Sequence, residues 1–586
     1  MAIPEPPPAR PSPAAVPAVA GVPAFAGIPA VAGMPVRPAR RLGGWLGLLP
    51  MAVLLTAAFA VPVVSLLRLG FGDGGLSFEH FRRIAEVPLY RSILATTLTI
   101  SALTTLLCVV LSYPVAYLMA TVGPRLRAVL VVVVLLPFWT SSLVRTTAWI
   151  VILQGNGILN KLLMGVGLTS EPVAFVYNLS GVLIGMTHVL MPFVVLPLYA
   201  ALRALDLSTV QAAEGLGAGP ATVFVRVVLP LTAPGAVAGA TIVFMNAIGF
   251  YITPALMGGP AQTMISQVIA DNVNRELNWG FAAALSTMLL GATLVIFMLF
   301  QRAFGLERLF SGAGTARSGE PFRLTSRGRS AGGVLTVVFG LLVAVFLIAP
   351  ILVVFPMSLG SSPFLSFPPY DYSLRWYVNF FETSKWFNAL IRSLQVAGLT
   401  VAGAVVLGTA AAIGLGRIPA RWRTAIETLF VLPMIVPVII LAVGLYYLFA
   451  PTGLVGTIWG LAIGHTVLAA PYVFVTVRAS LKSFDPSLEL AALGLGASWA
   501  TMARRILVPT ILPGILAGAV FAFITSFDDV VLALFLTNIR TRTLPKLMYE
   551  GVAHEIDPTI IAAAGLIILV TILLMLVNLL VTRRRA

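Results

Sequence analysis

Charge is what this sequence has least of. Only 10% of its 586 residues are Asp, Glu, Lys or Arg, against about 25% in an ordinary soluble chain. With 59% hydrophobic residues and a mean hydropathy of +0.99, there is too little polar surface to clothe a water-soluble core, which excludes a soluble enzyme or binding domain. Cysteine is confined to Cys108 in an apolar stretch, so no disulfide forms within one chain and a small packing residue is the expected role. Histidine is scarce too. His188 and His465 stand alone in apolar segments, without metal-ligand spacing, and packing or interhelical hydrogen bonding is expected of them. No G-x-x-x-x-G-K-[ST] phosphate loop occurs. Clustered His, Cys or Glu residues and a local Ser/His/Asp set are also lacking, which argues against a membrane enzyme. No catalytic residue and no metal ligand is assigned.

Long apolar runs are abundant. Residues 42–67, 92–124, 172–202, 330–370, 428–477 and 558–582 are each long enough to cross a bilayer, which takes roughly 20 residues per helix. A β-barrel would instead show short alternating segments. The expected fold is therefore all-α and polytopic, with about twelve transmembrane helices near 44–69, 93–122, 126–153, 176–202, 229–252, 281–304, 332–358, 388–416, 424–449, 454–477, 510–536 and 558–582. The 428–477 run is too long for one span, and "APTG" (Ala450 to Gly453) divides it with a tight turn. Residues 1–41 are rich in Pro and Ala and contain "VPAVAG", "VPAFAG" and "IPAVAG". Such regular prolines forbid a helix and predict a disordered tail. The polar, Arg-rich stretch 306–330 reads as a linker between a first transmembrane domain (42–305) and a second (331–583).

A net charge of +16 does not indicate nucleic acid, because the basic residues alternate with the spans. Arg37, Arg40, Arg41, Arg125, Arg127, Arg203, Arg226, Arg417, Arg421, Arg423, Lys482, Arg504, Arg505 and Arg583 to Arg585 fall on one side, together with the linker. The positive-inside rule makes that side cytoplasmic and puts both termini there. Membrane lipid is the expected surrounding. Asp271, Glu276, Glu550 and Glu555 fall in outward loops, as solvated faces or contacts for an external protein.

The two halves are related. A shift of 279 residues pairs Pro192 with Pro471, Asp206 with Asp485, Gly217 with Gly496, Pro230 with Pro509 and Pro234 with Pro513. Earlier in each half the shift is 296, pairing Leu136-Pro137 with Leu432-Pro433. Both halves run in the same direction, so this is a parallel repeat. The repeat includes a small-residue loop, "QAAEGLGA" (Gln211 to Ala218) and "LAALGLGA" (Leu490 to Ala497). Asp206 and Asp485 supply helix-start chemistry upstream. The glycines permit a bend, and Pro230 and Pro509 suit the first turn of the next membrane helix. Each copy is expected to be a short helix, a bend and a second helix on the cytoplasmic surface.

At these residues the chain resembles the permease subunits of ATP-binding-cassette importers, whose signature is a cytoplasmic E-A-A-x-x-x-G loop. The resemblance covers both halves, so the chain looks like two permease domains fused. It implies that the loop is a coupling helix docked on an ATPase subunit through Gln211, Ala212, Ala213, Glu214 and Gly217 in the first copy. In the second copy it implies Glu489, Ala491, Ala492 and Gly496. The leading Glu is Gln211 in one copy and Leu490 in the other, with Glu489 one place early. The implied partners are a cytoplasmic ATPase homodimer and an extracytoplasmic substrate-binding protein. ATP and magnesium then belong to the ATPase, and this chain binds no cofactor. The implied location is the bacterial inner membrane.

"LLPFWTSSLVRTTAWIVIL" (Leu135 to Leu153) resembles one spermidine/putrescine permease subunit. "SFDDVVLALFLT" (Ser526 to Thr537) with "TLPKLMYEG" (Thr543 to Gly551) resembles the other. Relatives for ferric iron and phosphonates share these motifs, so those cargoes stay open, as does an ion-coupled secondary transporter. A polyamine path calls for carboxylates and aromatic faces. Asp528 and Asp529, expected well inside a span, are candidates for contacting a cation, with partnership to a helix break or to Arg145 as the alternative. Trp139 and Trp149 offer ring faces, or pack. Arg145 in the same path attracts anions unless a carboxylate pairs with it.

Overall fold

The computed structural model describes residues 39–72, 77–304, 331–364, 367–553 and 557–583. The Pro/Ala repeat, the 306–330 linker, Arg584, Arg585 and Glu555 lie outside the described residues. Among the described residues, helix dominates and the only β feature is a single bridge between Gly360 and Tyr372.

Among the described residues, eight helices run for 23 to 34 residues and are apolar enough to cross a membrane. In the first half they are α1 (Gly43–Leu69), α2 (Pro88–Thr121), α8 (Ala221–Ile248) and α11 (Trp279–Phe304). In the second half they are α12 (Ala331–Ser358), α13 (Ser384–Leu415), α16 (Ile458–Lys482) and α18 (Trp499–Asp528). Three more expected spans are bent pairs: α3 (Pro124–Trp139) with α4 (Ser142–Leu153), at 102°; α5 (Leu179–Leu190) with α6 (Pro192–Arg203), at 48°; and α14 (Ala420–Val431) with α15 (Val438–Phe449), at 88°. The apolar α21 (Thr559–Arg583) stands where the twelfth is expected.

The expected continuous helices over 126–153, 424–449 and 510–536 are thus corrected, as is the one over 176–202, which bends between Leu190 and Pro192. Proline is the cause in the first two. Pro137 removes a backbone donor, and its carbonyl is taken by the Thr140 N–H at 3.3 Å and hydroxyl at 3.0 Å, closing α3 before α4 begins. Pro433 and Pro437 likewise remove donors before α15, and the Pro437 carbonyl accepts from Ile440 N at 3.0 Å. In the third, α18 ends at Asp528, Asp529 turns to an extended backbone, and a separate short helix α19 (Val531–Leu536) follows. Its counterpart in the first half is α9 (Ile252–Met257). Pro230 and Pro509 are also relocated: they lie inside α8 and α18, just after one widened π-turn at Phe224–Val228 and another at Ala503–Leu507. The extra residue in such a turn accommodates the missing proline N–H without stopping the helix.

The repeat is visible in hydrogen bonds that sequence register alone does not reveal. Asn178 Oδ1 accepts from Gly181 N at 3.1 Å and Thr457 Oγ1 accepts from Gly460 N at 3.0 Å, starting α5 and α16 in the same way. Thr97 Oγ1 on α2 accepts from Ile265 N at 2.9 Å, and Ser393 Oγ on α13 accepts from Leu544 N at 2.8 Å. These bonds hold α10 (Ile265–Asn274) and α20 (Leu544–Ala553), which carry Asp271 and Glu550 on helices rather than loops. Asp271 pairs with Arg275 at 3.5 Å and Glu550 with Arg542 at 3.1 Å.

The halves are interlaced. In the first half α2, the α5–α6 pair and α8 pack together, and in the second α13, α16 and α18 do. The leading helices reach into the other half while staying in touch with their own: α1 lies against α13 as well as α11, and α12 lies against α2, α3 and α4 as well as α21. Glycine permits both approaches. A Cβ on Gly44 would sit 3.1 Å from the Gly414 carbonyl oxygen, and one on Gly340 would sit 3.0 Å from the Pro114 carbonyl oxygen. Small residues at such crossings let backbones approach where lipid offers no hydrophobic drive.

Candidate functional site: paired surface loops and a cross-half contact

Two surface helices stand out. α7 (Leu207–Gly215) follows α6, and α17 (Pro486–Gly494) follows α16. Asp206 Oδ1 accepts from Ser208 N at 2.9 Å, and Asp485 Oδ1 accepts from Ser487 N at 2.9 Å. The backbone N–H, then the serine hydroxyl, holds each carboxyl below the usual carboxylate range. Both caps are therefore charged at neutral pH, and their stabilisation is lost only as pH falls through the lowered values. Each helix then turns at a glycine with φ of +84°, Gly217 in one copy and Gly496 in the other. Only glycine adopts that conformation without strain.

The bend lifts one apolar side chain clear of the body in each copy. Leu216 and Leu495 are both 89% exposed. Gln211, Ala212, Glu214, Gly217, Ala491 and Gly496 are exposed as well. Ala213 is partly covered and Ala492 is buried, so these two seat the helix on its own half. Glu489 is not free: it meets Arg417 at 3.4 Å, and Arg417 lies over the Trp499 ring at 5.0 Å.

Asp528 and Asp529 both serve helix starts. Asp528, on the second half, receives the Ser142 N–H of α4, on the first half, at 3.1 and 3.2 Å. Asp529 receives Leu532 N at 2.8 Å and Ala533 N at 3.3 Å within its own half, and lies 3.3 Å from His465 Nε2. Helix N-termini favour such negative charge. Arg145, only 4% exposed, lies one turn into α4 and reaches the Ser141 carbonyl at 3.4 Å and the Val189 carbonyl at 3.5 Å. Among the described residues no carboxylate comes within 4.0 Å of it. Trp139 ends α3 at the bend and is half-buried. Trp149 is a packing residue, buried against His188 and Phe346 with ring centroids 5.7 and 5.1 Å away. His188 Nε2 meets the Leu347 carbonyl at 3.0 Å, and His465 Nδ1 meets Ser526 Oγ at 2.7 Å, both interhelical. Sequence reading missed the Asp528–Ser142 bond, which joins residues far apart with no local signal.

Comparison with known proteins agrees with this duplicated arrangement. The chain is 36% identical over 228 residues to the spermidine/putrescine transport system permease protein PotB of Haemophilus influenzae, covering 39% of this chain and 79% of that one. It is 32% identical over 213 residues to PotC of the same organism, covering 36% and 83%. A probable ABC transporter permease protein, y4fN of Sinorhizobium fredii, is 27% identical over 526 residues, covering 88% and 91%. Residues 112–306 and 404–586 each match the family described as binding-protein-dependent transport system inner membrane component. With that domain present twice, the chain belongs to this family and is a multi-pass inner-membrane permease.

Proposed function

We propose that this chain is the complete transmembrane path of an ATP-driven importer, carrying a polyamine such as spermidine or putrescine from an extracytoplasmic binding protein into the cytoplasm. Both termini are cytoplasmic in this reading. ATP and magnesium are held by an ATPase homodimer, whose two clefts receive α7 and α17. The observation that carries it is the matched pair of exposed loops, each ending in an uncovered leucine and a left-handed glycine. A self-contained transporter has no use for two identical apolar knobs on one face, whereas a two-fold motor needs one on each half. The names of the PotB and PotC relatives support the cargo. The test is ATP hydrolysis by the reconstituted complex, which spermidine-loaded binding protein is expected to stimulate several-fold over the empty form. Equal stimulation by a binding protein loaded with ferric iron or phosphonate would reassign the cargo.

Asp528 is the carboxylate we place on the cation's route. Asn at this position keeps an oxygen that accepts from Ser142 N, so Asp528→Asn removes charge while leaving the cross-half contact. Spermidine uptake is expected to fall about tenfold, equivalent to about 1.4 kcal/mol, at unchanged expression. Wild-type uptake by the variant would remove the carboxylate from the path.

A further inference from the structure

Two turns before Asp528, a second contact joins the halves, and it is aromatic. Phe138, in the last turn of α3, meets Phe521 of α18 with ring centroids 6.0 Å apart and planes at 79°. Phe138 also meets Phe193 of α6 at 5.1 Å, and Phe521 stacks on Tyr472 of α16 at 6.0 Å and 14°. The four rings form one unbroken chain, two from each half. Phe193 and Tyr472 are repeat-equivalent, each following one of the paired prolines Pro192 and Pro471. The chain therefore runs from one position to its repeat equivalent in the other half. All four residues are half-buried, and Phe138, Tyr472 and Phe521 belong to no apolar core cluster. They are neither sealed in a core nor fully exposed. The Phe138–Phe521 pair and the Ser142–Asp528 bond are carried by the same elements, the α3–α4 bend and the end of α18, about 10 Å apart along α18 at 1.5 Å per residue.

We propose that Phe138, Phe193, Tyr472 and Phe521 are the closed constriction of the translocation path, and that the Phe138–Phe521 contact is the one that parts when solute passes. This rests on the reading of the chain as an importer whose path runs between its halves. Apolar rings in contact exclude water and ions when closed. Once parted, their faces attract an organic cation weakly enough to release it, and their edges suit the aliphatic spacer between two ammonium groups.

The test separates the constriction from the cargo. In a Cys108→Ala background, Phe138→Cys and Phe521→Cys are combined and treated with a short bis-thiol cross-linker. Abundant cross-linking is expected at rest, and at least a fivefold lower yield when the ATPase is trapped with vanadate. Separately, Phe521→Ala in the permease alone is expected to raise passive release of entrapped spermidine from proteoliposomes at least fivefold. Val406→Ala, at an exposed position on α13, is the control. Unchanged cross-linking on trapping overturns the proposal, as does a Phe521→Ala leak equal to that of the control. A cross-link that responds to trapping while loaded spermidine-binding protein fails to stimulate hydrolysis supports the constriction and removes the polyamine.

Discussion

Replacing Leu216 and Leu495 together by aspartate is expected to abolish co-purification of the ATPase while the permease still inserts, purifies and unfolds as the wild type does. The side chains are 89% exposed in both copies, so the substitutions remove little packing within the chain. Docking would bury each leucine, worth about 1.5–3 kcal/mol apiece. Losing both costs about 3–6 kcal/mol, or more than 100-fold in affinity, before the penalty of pressing an unpaired carboxylate into an apolar cleft. Either single variant keeps one intact knob and is expected to bind more weakly rather than not at all. ATPase pull-down from detergent, with size-exclusion profiles of the permease, makes the measurement. Wild-type retention of the ATPase by the double variant would discard the docking assignment.

Cutting the chain between residues 304 and 331 is expected to leave an active transporter when both pieces are co-expressed, and neither piece stable alone. The reason is the exchange of leading helices. A first piece made alone keeps α1 but lacks α13, leaving the Gly44 face without the Gly414 backbone it packs against. A second piece alone strips α12 of α2, α3 and α4. Recovery of monodisperse protein is expected to fall more than tenfold for each piece alone and to return on co-expression. Two separately well-behaved pieces would mean that the interlacing contributes little.

The sequence carried the repeat and the positions of the spans because hydropathy and paired prolines report on composition, and composition is local. It hid the breaks at Thr140 and Pro437 because the apolar spans continue through them; hydropathy senses burial and not the direction of an axis, and the break at Asp529 entered only as the alternative role of two acidic residues inside a span. Pro230 and Pro509 were legible as landmarks but misplaced as helix starts, since a π-turn has no signature in residue type. Nothing in the residues around Gly44 and Gly340 names the helix they approach. Asp528 was legible as an expensive group that needed a reason. Its partner is a backbone N–H in the other half, which no local pattern encodes. The loops fared best, because the αL glycine and the Asp cap both act within a few residues.

Gly249 occupies in the first half the place of Asp528 in the second, and it faces Pro437 as Asp528 faces the Ser141–Ser142 step. A Cβ on Gly249 would come within 2.5 Å of the proline ring. Two second halves brought together would drive a carboxylate into that ring, and two first halves would leave a gap where the charged bond belongs. The two copies are therefore no longer interchangeable at this seam, and a first half set against a second is the arrangement its side chains fit.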